Sequence, residues 1–317
     1  MKRNVIACLS LLLAVLLAGC GERTETTEQK TTICVVLKAM DSVHWMSVQD
    51  GLEQAAQDYD VSVNILWPSN ENDVEAQNTI LSDVIASKPD AIAVSPCDSE
   101  QMDVLEQTMD TIPCFYIDTK AEQFDFPYIG ADNKNIGKLA AQALAQKITS
   151  GQIAVIMGNS RQSTHVERWK GFTEQLKQYP ALELCTVKES ETSSYLESMK
   201  CMQEILQEYP EIKGVFCTSA LMVLGAMEEQ DKAGTDIELV GVDMQSDAMS
   251  GVENGRIYAL IGQNGYEIGY QTIRTMVQYL QGEDIAHNVY VETPVITQKN
   301  AAEYLERYLT ERGEGND

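Results

Sequence analysis

The sequence predicts an α/β protein of two similar lobes, each a doubly wound domain with a parallel sheet and helices on both faces. Three observations carry that expectation. Short apolar strands alternate with amphipathic helices along nearly the whole chain, which is the grammar of βαβ units. The length, 317 residues, exceeds what one hydrophobic core ordinarily serves and suits two. Two strand-like runs end abruptly in a carboxylate: Cys114-Phe115-Tyr116-Ile117 runs into Asp118, and Leu239-Val240-Gly241-Val242 into Asp243. In open α/β sheets, ligands sit in the crevice beyond the carboxyl ends of the strands. Two such carboxylates therefore read as half-sites that face one another across a cleft.

The elements follow in order. A strand over 33–37 precedes a helix over 45–59, where Trp45, Val48, Leu52, Ala55, Ala56 and Tyr59 recur at helical spacing. A strand over 61–66 alternates in polarity. The helix over 73–87 opens on Asp73, a residue suited to an N-cap, and buries Ile80, Leu81, Val84 and Ile85. The turn Lys88-Pro89-Asp90 leads to a strand over 91–95, a helix over 101–110 and a strand over 114–117. The rhythm then restarts, with helices over 133–148, 166–178, 195–208, 221–229, 247–254, 264–281 and 301–308. Strands over 153–157, 182–187, 215–218, 239–242, 258–262 and 295–297 lie between them.

Composition narrows the function. With 23 Lys and Arg against 48 Asp and Glu, the formal charge is −25. So acidic a surface repels phosphate backbones and argues against nucleic-acid binding. The N-terminus reads as a targeting segment over 1–19: Lys2 and Arg3 precede an apolar run over 5–17 that is too short to span a bilayer comfortably. It closes on Leu17-Ala18-Gly19-Cys20, which resembles a bacterial lipobox and implies lipidation of Cys20. The polar stretch that follows, within 20–31, has little to bury and reads as a flexible tether. Lipid and tether together predict a domain held at the outer face of the cell membrane.

The cysteines predict no disulfide framework. Cys34, Cys97, Cys114, Cys185 and Cys217 fall in or beside strand-like runs and Cys201 on a helix, where a thiol behaves as a small hydrophobe. No Cys-x-x-Cys occurs, and His44, His165 and His287 have no spacing suited to a metal. No cofactor is expected. Gly137-Lys138 lacks the rest of a P-loop, and no Gly-x-Gly-x-x-Gly or Gly-x-Ser-x-Gly follows a strand. These absences argue against an enzyme.

Several segments together resemble one family. They are Asp50-Gly51-Leu52, Lys88-Pro89-Asp90-Ala91-Ile92, Tyr128-Ile129-Gly130-Ala131-Asp132-Asn133, Arg168-Trp169-Lys170-Gly171-Phe172, Val240-Gly241-Val242-Asp243, and the run over 263–269. In this order, behind a lipobox, the chain resembles bacterial substrate-binding proteins of the ribose/galactose-binding class, the solute receptors of ABC importers. The resemblance implies a three-strand hinge and discontinuous domains, one of residues 32–132 plus 264–291, the other of 133–263 plus 292–317. It implies a monomer that captures a monosaccharide or related polyol by lobe closure and delivers it to membrane permease subunits. A sensory receptor with the same lobes, signalling to a membrane kinase or chemoreceptor, is the alternative.

Site residues follow from the same resemblance. In Ser42-Val43-His44-Trp45, Trp45 matches the aromatic that packs on a sugar ring, and His44 stands where a second aromatic is usual. Asp118 matches an acceptor for ligand hydroxyls, Arg168 a donor to ring or hydroxyl oxygens, and Asp243 and Gln263 the partners from the second lobe and hinge. Thr119 and Ser219 also stand at binding positions, but the family often has Arg and Asn there, which turns the expectation away from ribose itself. An apolar stacking face beside charged and amide groups suits a polyhydroxylated ligand. Asp118 and Asp243 are expected to serve binding and to matter little for folding. His165 and His287 read as surface residues, and Trp67 as a strand-end aromatic.

Overall fold

The computed structural model describes residues 30–311. Twelve strands form two six-stranded sheets. The first contains β1 (Thr32–Val36), β2 (Ser62–Leu66), β3 (Ala91–Val94), β4 (Cys114–Ile117), β5 (Tyr128–Gly130) and β11 (Asn288–Tyr290). The second contains β6 (Gly151–Met157), β7 (Leu182–Glu189), β8 (Gly214–Cys217), β9 (Glu238–Val242), β10 (Ala259–Ile261) and β12 (Val295–Thr297). Their orders, β11-β5-β4-β3-β1-β2 and β12-β10-β9-β8-β6-β7, match position by position. Every pairing is parallel except β10 with β12, an antiparallel edge in the second sheet. The chain passes from one sheet to the other three times, between β5 and β6, between β10 and β11, and between β11 and β12.

Central strands are buried on both faces, as parallel strands under helices must be. On β1, Ile33 and Val35 join one apolar cluster while Cys34 and Val36 join another. Edge strand β2 alternates between half-buried and exposed residues. The helices that cover the first sheet are α1 (Val43–Asp58), α2 (Val74–Ser87) and α8 (Gly265–Leu280). Those of the second are α3 (Asn133–Lys147), α4 (Ser163–Leu176), α5 (Tyr195–Glu208), α6 (Ala220–Ala233), α7 (Ser246–Glu253) and α9 (Ala301–Glu311). Side-chain oxygens cap several of them: Asp73 accepts from Ala76 N at 3.0 Å, Asp132 from Asn135 N at 2.9 Å and Asn264 from Glu267 N at 3.2 Å. Asp132 and Asn264 each open the helix that follows a change of sheet.

The two domains share one packing device. A Cβ on Gly137 of α3 would lie 1.9 Å from the carbonyl of Arg168 on α4, and one on Gly171 would lie 1.9 Å from that of Lys134. In the first domain, a Cβ on Gly51 would lie 2.0 Å from Tyr266 O and one on Gly269 2.1 Å from Val48 O. Reciprocal glycines thus let α3 meet α4, and α1 meet α8, backbone to backbone.

The helix expected over 101–110 is a short 3₁₀ turn, Asp103–Thr108. The Thr108 hydroxyl bonds to Leu105 O, and Asp110 takes φ 67°, which turns the chain into β4. Helix α4 starts at Ser163, three residues before the expected start, and that shift matters for the site. All six described cysteines are free thiols. Among the described residues, no helix is long and apolar enough to cross a membrane, and no cluster of His, Cys, Asp and Glu could hold a metal ion. The leader, Cys20 and the greater part of the tether lie outside the described residues.

Candidate binding site between the two domains

Asp118 follows β4 and Asp243 follows β9, which hold the same place in the two sheets. Both backbones are left-handed, with φ 63° and φ 77°. Asp accepts that conformation more readily than most residues. Each amide bonds the neighbouring strand at the matching position, Asp118 N to Ile129 O at 2.8 Å and Asp243 N to Ile261 O at 3.1 Å. The turn stops each strand and aims its carboxylate into the same cavity of about 120 Å³. Strain of this kind concentrates at functional sites.

Gln263, at the second change of sheet, sits between them. Its Nε2 lies 3.4 Å from Asp118 Oδ2 and 3.2 Å from Asp243 Oδ1, and its Oε1 accepts from Arg168 Nη2 at 2.9 Å. Arg168 is buried and further donates from Nε to Asn133 Oδ1 and from Nη1 to the Thr218 carbonyl, at 2.9 and 2.7 Å. Three of its five N–H groups are thus committed, which fixes the plane of the guanidinium. His44 Nε2 lies 3.1 Å from Asp118 Oδ2, and its ring meets Trp45 edge to face at 5.0 Å. Ser42 and Ser219 hold the N-cap positions of α1 and α6, yet neither hydroxyl caps its helix, and both line the cavity.

Of the residues expected at the site, Ser42, His44, Trp45, Asp118, Arg168, Ser219, Asp243 and Gln263 line one cavity. Thr119 does not. It is 1% exposed and stands behind Asp118, where its hydroxyl meets Asp118 Oδ1 at 2.9 Å and Thr164 Oγ1 at 2.7 Å. Thr119 therefore ties the domains together and orients Asp118.

Other lining residues escaped the sequence reading. Lys38, just beyond β1, is 4% exposed; it donates to Thr119 Oγ1 at 2.9 Å and to Gln162 Oε1 of the other domain at 2.7 Å. Its ammonium is 4.0 Å from Asp118 and supplies the cation that Thr119 cannot. Glu71 reaches the cavity from the segment between β2 and α2. His165 was expected at the surface but is buried, with Nδ1 2.9 Å from Thr218 Oγ1, because α4 begins early enough to carry it inward. His287 does lie at the surface, paired with Asp125, and Trp67 is 41% exposed.

The electrostatics follow from this packing. Burial disfavours the Asp118 anion, yet the His44 hydrogen bond and the charges of His44, Lys38 and Arg168 hold its pKa well below the usual carboxylate range. Burial likewise opposes protonated His44, but its bond to Asp118 and the nearby carboxylates raise its pKa overall. His165 is pushed well below the usual range, by burial first and then by Lys38 and Arg168, so it stays neutral. Burial raises the pKa of Glu71, against the charge of Lys38.

Residues 33–284 match the family model described as the periplasmic binding protein domain, and the chain belongs to that family. It is 26% identical to the ribose import binding protein of Bacillus subtilis (strain 168), over 94% of this chain and 100% of the relative. It is 25% identical to the D-allose-binding periplasmic protein of Escherichia coli (strain K12), over 77% and 82% of the two chains. A carbohydrate transporter solute-binding protein from Agrobacterium radiobacter, crystallised with D-arabinose, superposes with TM-score 0.84 at 26% identity, over 89% of this chain and 99% of that one.

Proposed function

We propose that this chain is a lipid-anchored, extracytoplasmic solute-binding protein that captures a monosaccharide or related polyol and delivers it to an ABC importer. The observation that carries the reading is the convergence of Asp118 and Asp243, from matching strand ends of different domains, on one small cavity. Three features fit a neutral polyol. Trp45 offers an apolar face for ring C–H groups. The carboxylates and Arg168 offer charge-assisted bonds to hydroxyls. Asp118, Asp243 and Arg168 already have partners within the protein, so an uncharged ligand suits the cavity better than an ion. The relatives named for ribose import and for D-allose binding point to the same ligand class.

Binding works by closure. A ligand that touches both carboxylates favours the conformation in which the domains meet, in proportion to its differential affinity for it. The three passages between the sheets are the natural hinge. The permease then reads the closed shape, and the protein itself performs no catalysis.

The test is a thermal-shift screen over pentoses, hexoses, polyols, inositols and nucleosides. A ligand at a hundred times its Kd stabilises by about 2.7 kcal/mol. A monosaccharide or polyol is expected to raise Tm; a response to nucleosides alone would overturn the reading. The anchor is tested separately, because Cys20→Ser is expected to move the protein out of the membrane fraction, and an unchanged membrane fraction would refute lipidation.

A further inference from the structure

The cavity has two unlike ends. At the hinge end the polar groups satisfy one another: both Asp118 oxygens, both Asp243 oxygens and three Arg168 donors have partners. The other end lies past Lys38, where the segment between β2 and α2 faces the start of α4. There Glu71 Oε1 and Gln162 Nε2 are buried and neither makes a hydrogen bond of good geometry; Gln162 and Ser193 approach Glu71 closely enough to lower its pKa, and of Glu71 and Gln162 it is Glu71 that lines the cavity. Leaving a buried carboxylate oxygen without a well-formed hydrogen bond is costly, and native structures do so sparingly. A ligand hydroxyl in the cavity can donate to Glu71 Oε1.

The surroundings satisfy Glu71 only in part. Lys38 does not satisfy Glu71 by hydrogen bonding, because its bonds go to Thr119 and Gln162 Oε1. Glu71 nonetheless lines the same cavity as Asp118 and Asp243. Burial raises its pKa more than Lys38, Ser193 and Gln162 together lower it, and a further donor from a ligand acts in the lowering direction.

We propose that Glu71 is a third ligand acceptor, and that it selects a sugar bearing one hydroxyl beyond those served at the hinge end, a hexose over the matching pentose. The inference rests on the proposed sugar-binding function and adds to it a specificity residue drawn from a segment with no part in the hinge end. The ring occupies the Asp118, Arg168 and Asp243 end, and the extra hydroxymethyl group of the hexose extends toward Glu71.

The test is calorimetric titration of the purified protein with matched pairs: D-ribose with D-allose, D-xylose with D-glucose, L-arabinose with D-galactose, and D-lyxose with D-mannose. Each hexose differs from its pentose by one hydroxymethyl group. In the pair that binds, the hexose is expected to bind roughly tenfold or more tighter, the worth of one well-placed bond to a charged group. Glu71→Ala is expected to erase most of that preference, with pentose affinity held within about threefold. Glu71→Gln keeps the shape and is expected to lose part of it, which guards against a folding defect in the alanine variant. Equal losses for pentose and hexose would make Glu71 a support for Lys38 and overturn the proposal. So would unchanged hexose affinity, or a wild type that prefers the pentose. If no pair binds the wild type, the hexose selection is overturned, whereas the wider monosaccharide-or-polyol function stands or falls by the thermal-shift screen.

Discussion

Asp118 and Asp243, one from each domain, are joined through a single side-chain amide, Gln263 Nε2, at 3.4 and 3.2 Å. The same side chain receives Arg168 on its carbonyl oxygen. Gln263 therefore connects both half-sites and the guanidinium at the point where the chain changes sheet. Replacing it with Leu preserves bulk but leaves Arg168 Nη2 and two carboxylates short of a partner. Gln263→Leu is expected to destabilise the ligand-free protein by about 1–3 kcal/mol. Denaturant unfolding measures this, and a wild-type midpoint would mean that the bridge is dispensable.

The two carboxylates are not equivalent for folding. Asp118 faces the buried cation Lys38 and the imidazole of His44, and its removal leaves them uncompensated. Asp243 bonds only neutral groups, Gln263 Nε2 and the amide of Ala220. Asp118→Ala is expected to cost about 3–5 kcal/mol of stability, and Asp243→Ala about 1–2 kcal/mol. Chemical denaturation of both variants decides it; equal losses would contradict the network. The sequence led to the expectation that neither carboxylate matters much for folding; the contacts of Asp118 predict a larger effect there than at Asp243.

The pH dependence separates His44 from His165. His44 has its pKa raised in the fold, so its contribution is fully present below the unfolded value of about 6.5 and is lost as pH rises through its folded value. The stability difference between wild type and His44→Gln should therefore shrink from pH 6 toward pH 9. Asp118 is lowered, so its contribution is present above about 3.9 and is lost as pH falls through its folded value. His165 is lowered as well, and keeping it neutral costs stability below about pH 6.5. Acid should thus destabilise the wild type more than His165→Gln. Parallel curves for wild type and variants would refute these assignments.

Much of the fold was legible in the sequence, because buried strands and amphipathic helices carry their period in consecutive residues. The left-handed turns were not legible as such, but their carboxylates were, since Asp118 and Asp243 interrupt apolar runs. Lys38, Glu71 and His165 were missed for one physical reason. Their partners are remote: Lys38 bonds Gln162 124 positions away, and His165 meets Thr218 53 positions away. Locally, Lys38 resembles a solvated strand end, and Glu71 stands in a polar segment without any period. Thr119 was misplaced because its neighbour faces the cavity, whereas its own hydroxyl turns back toward Thr164.

Reciprocal glycines between α3 and α4 give a stability test near the site. Gly171 lies one turn from Arg168, and a Cβ there would overlap the Lys134 carbonyl. Gly171→Ala must push the helices apart, at a cost of about 1–3 kcal/mol, and displace Arg168 from Gln263. Tm is expected to fall by several degrees, with weaker sugar binding. A wild-type Tm would show that the contact yields easily.

The central claim is that the carboxylates of the two domains hold one ligand between them. Calorimetric titration of wild type and Asp243→Ala tests it most directly, with the sugar that gives the largest thermal shift. Asp243→Ala largely preserves the fold but removes a charge-assisted acceptor. One site per chain is expected in the wild type. In the variant, a loss of about 2–3 kcal/mol is expected, or roughly 30- to 150-fold in Kd. Near-wild-type affinity in Asp243→Ala would mean that the ligand does not span the cleft.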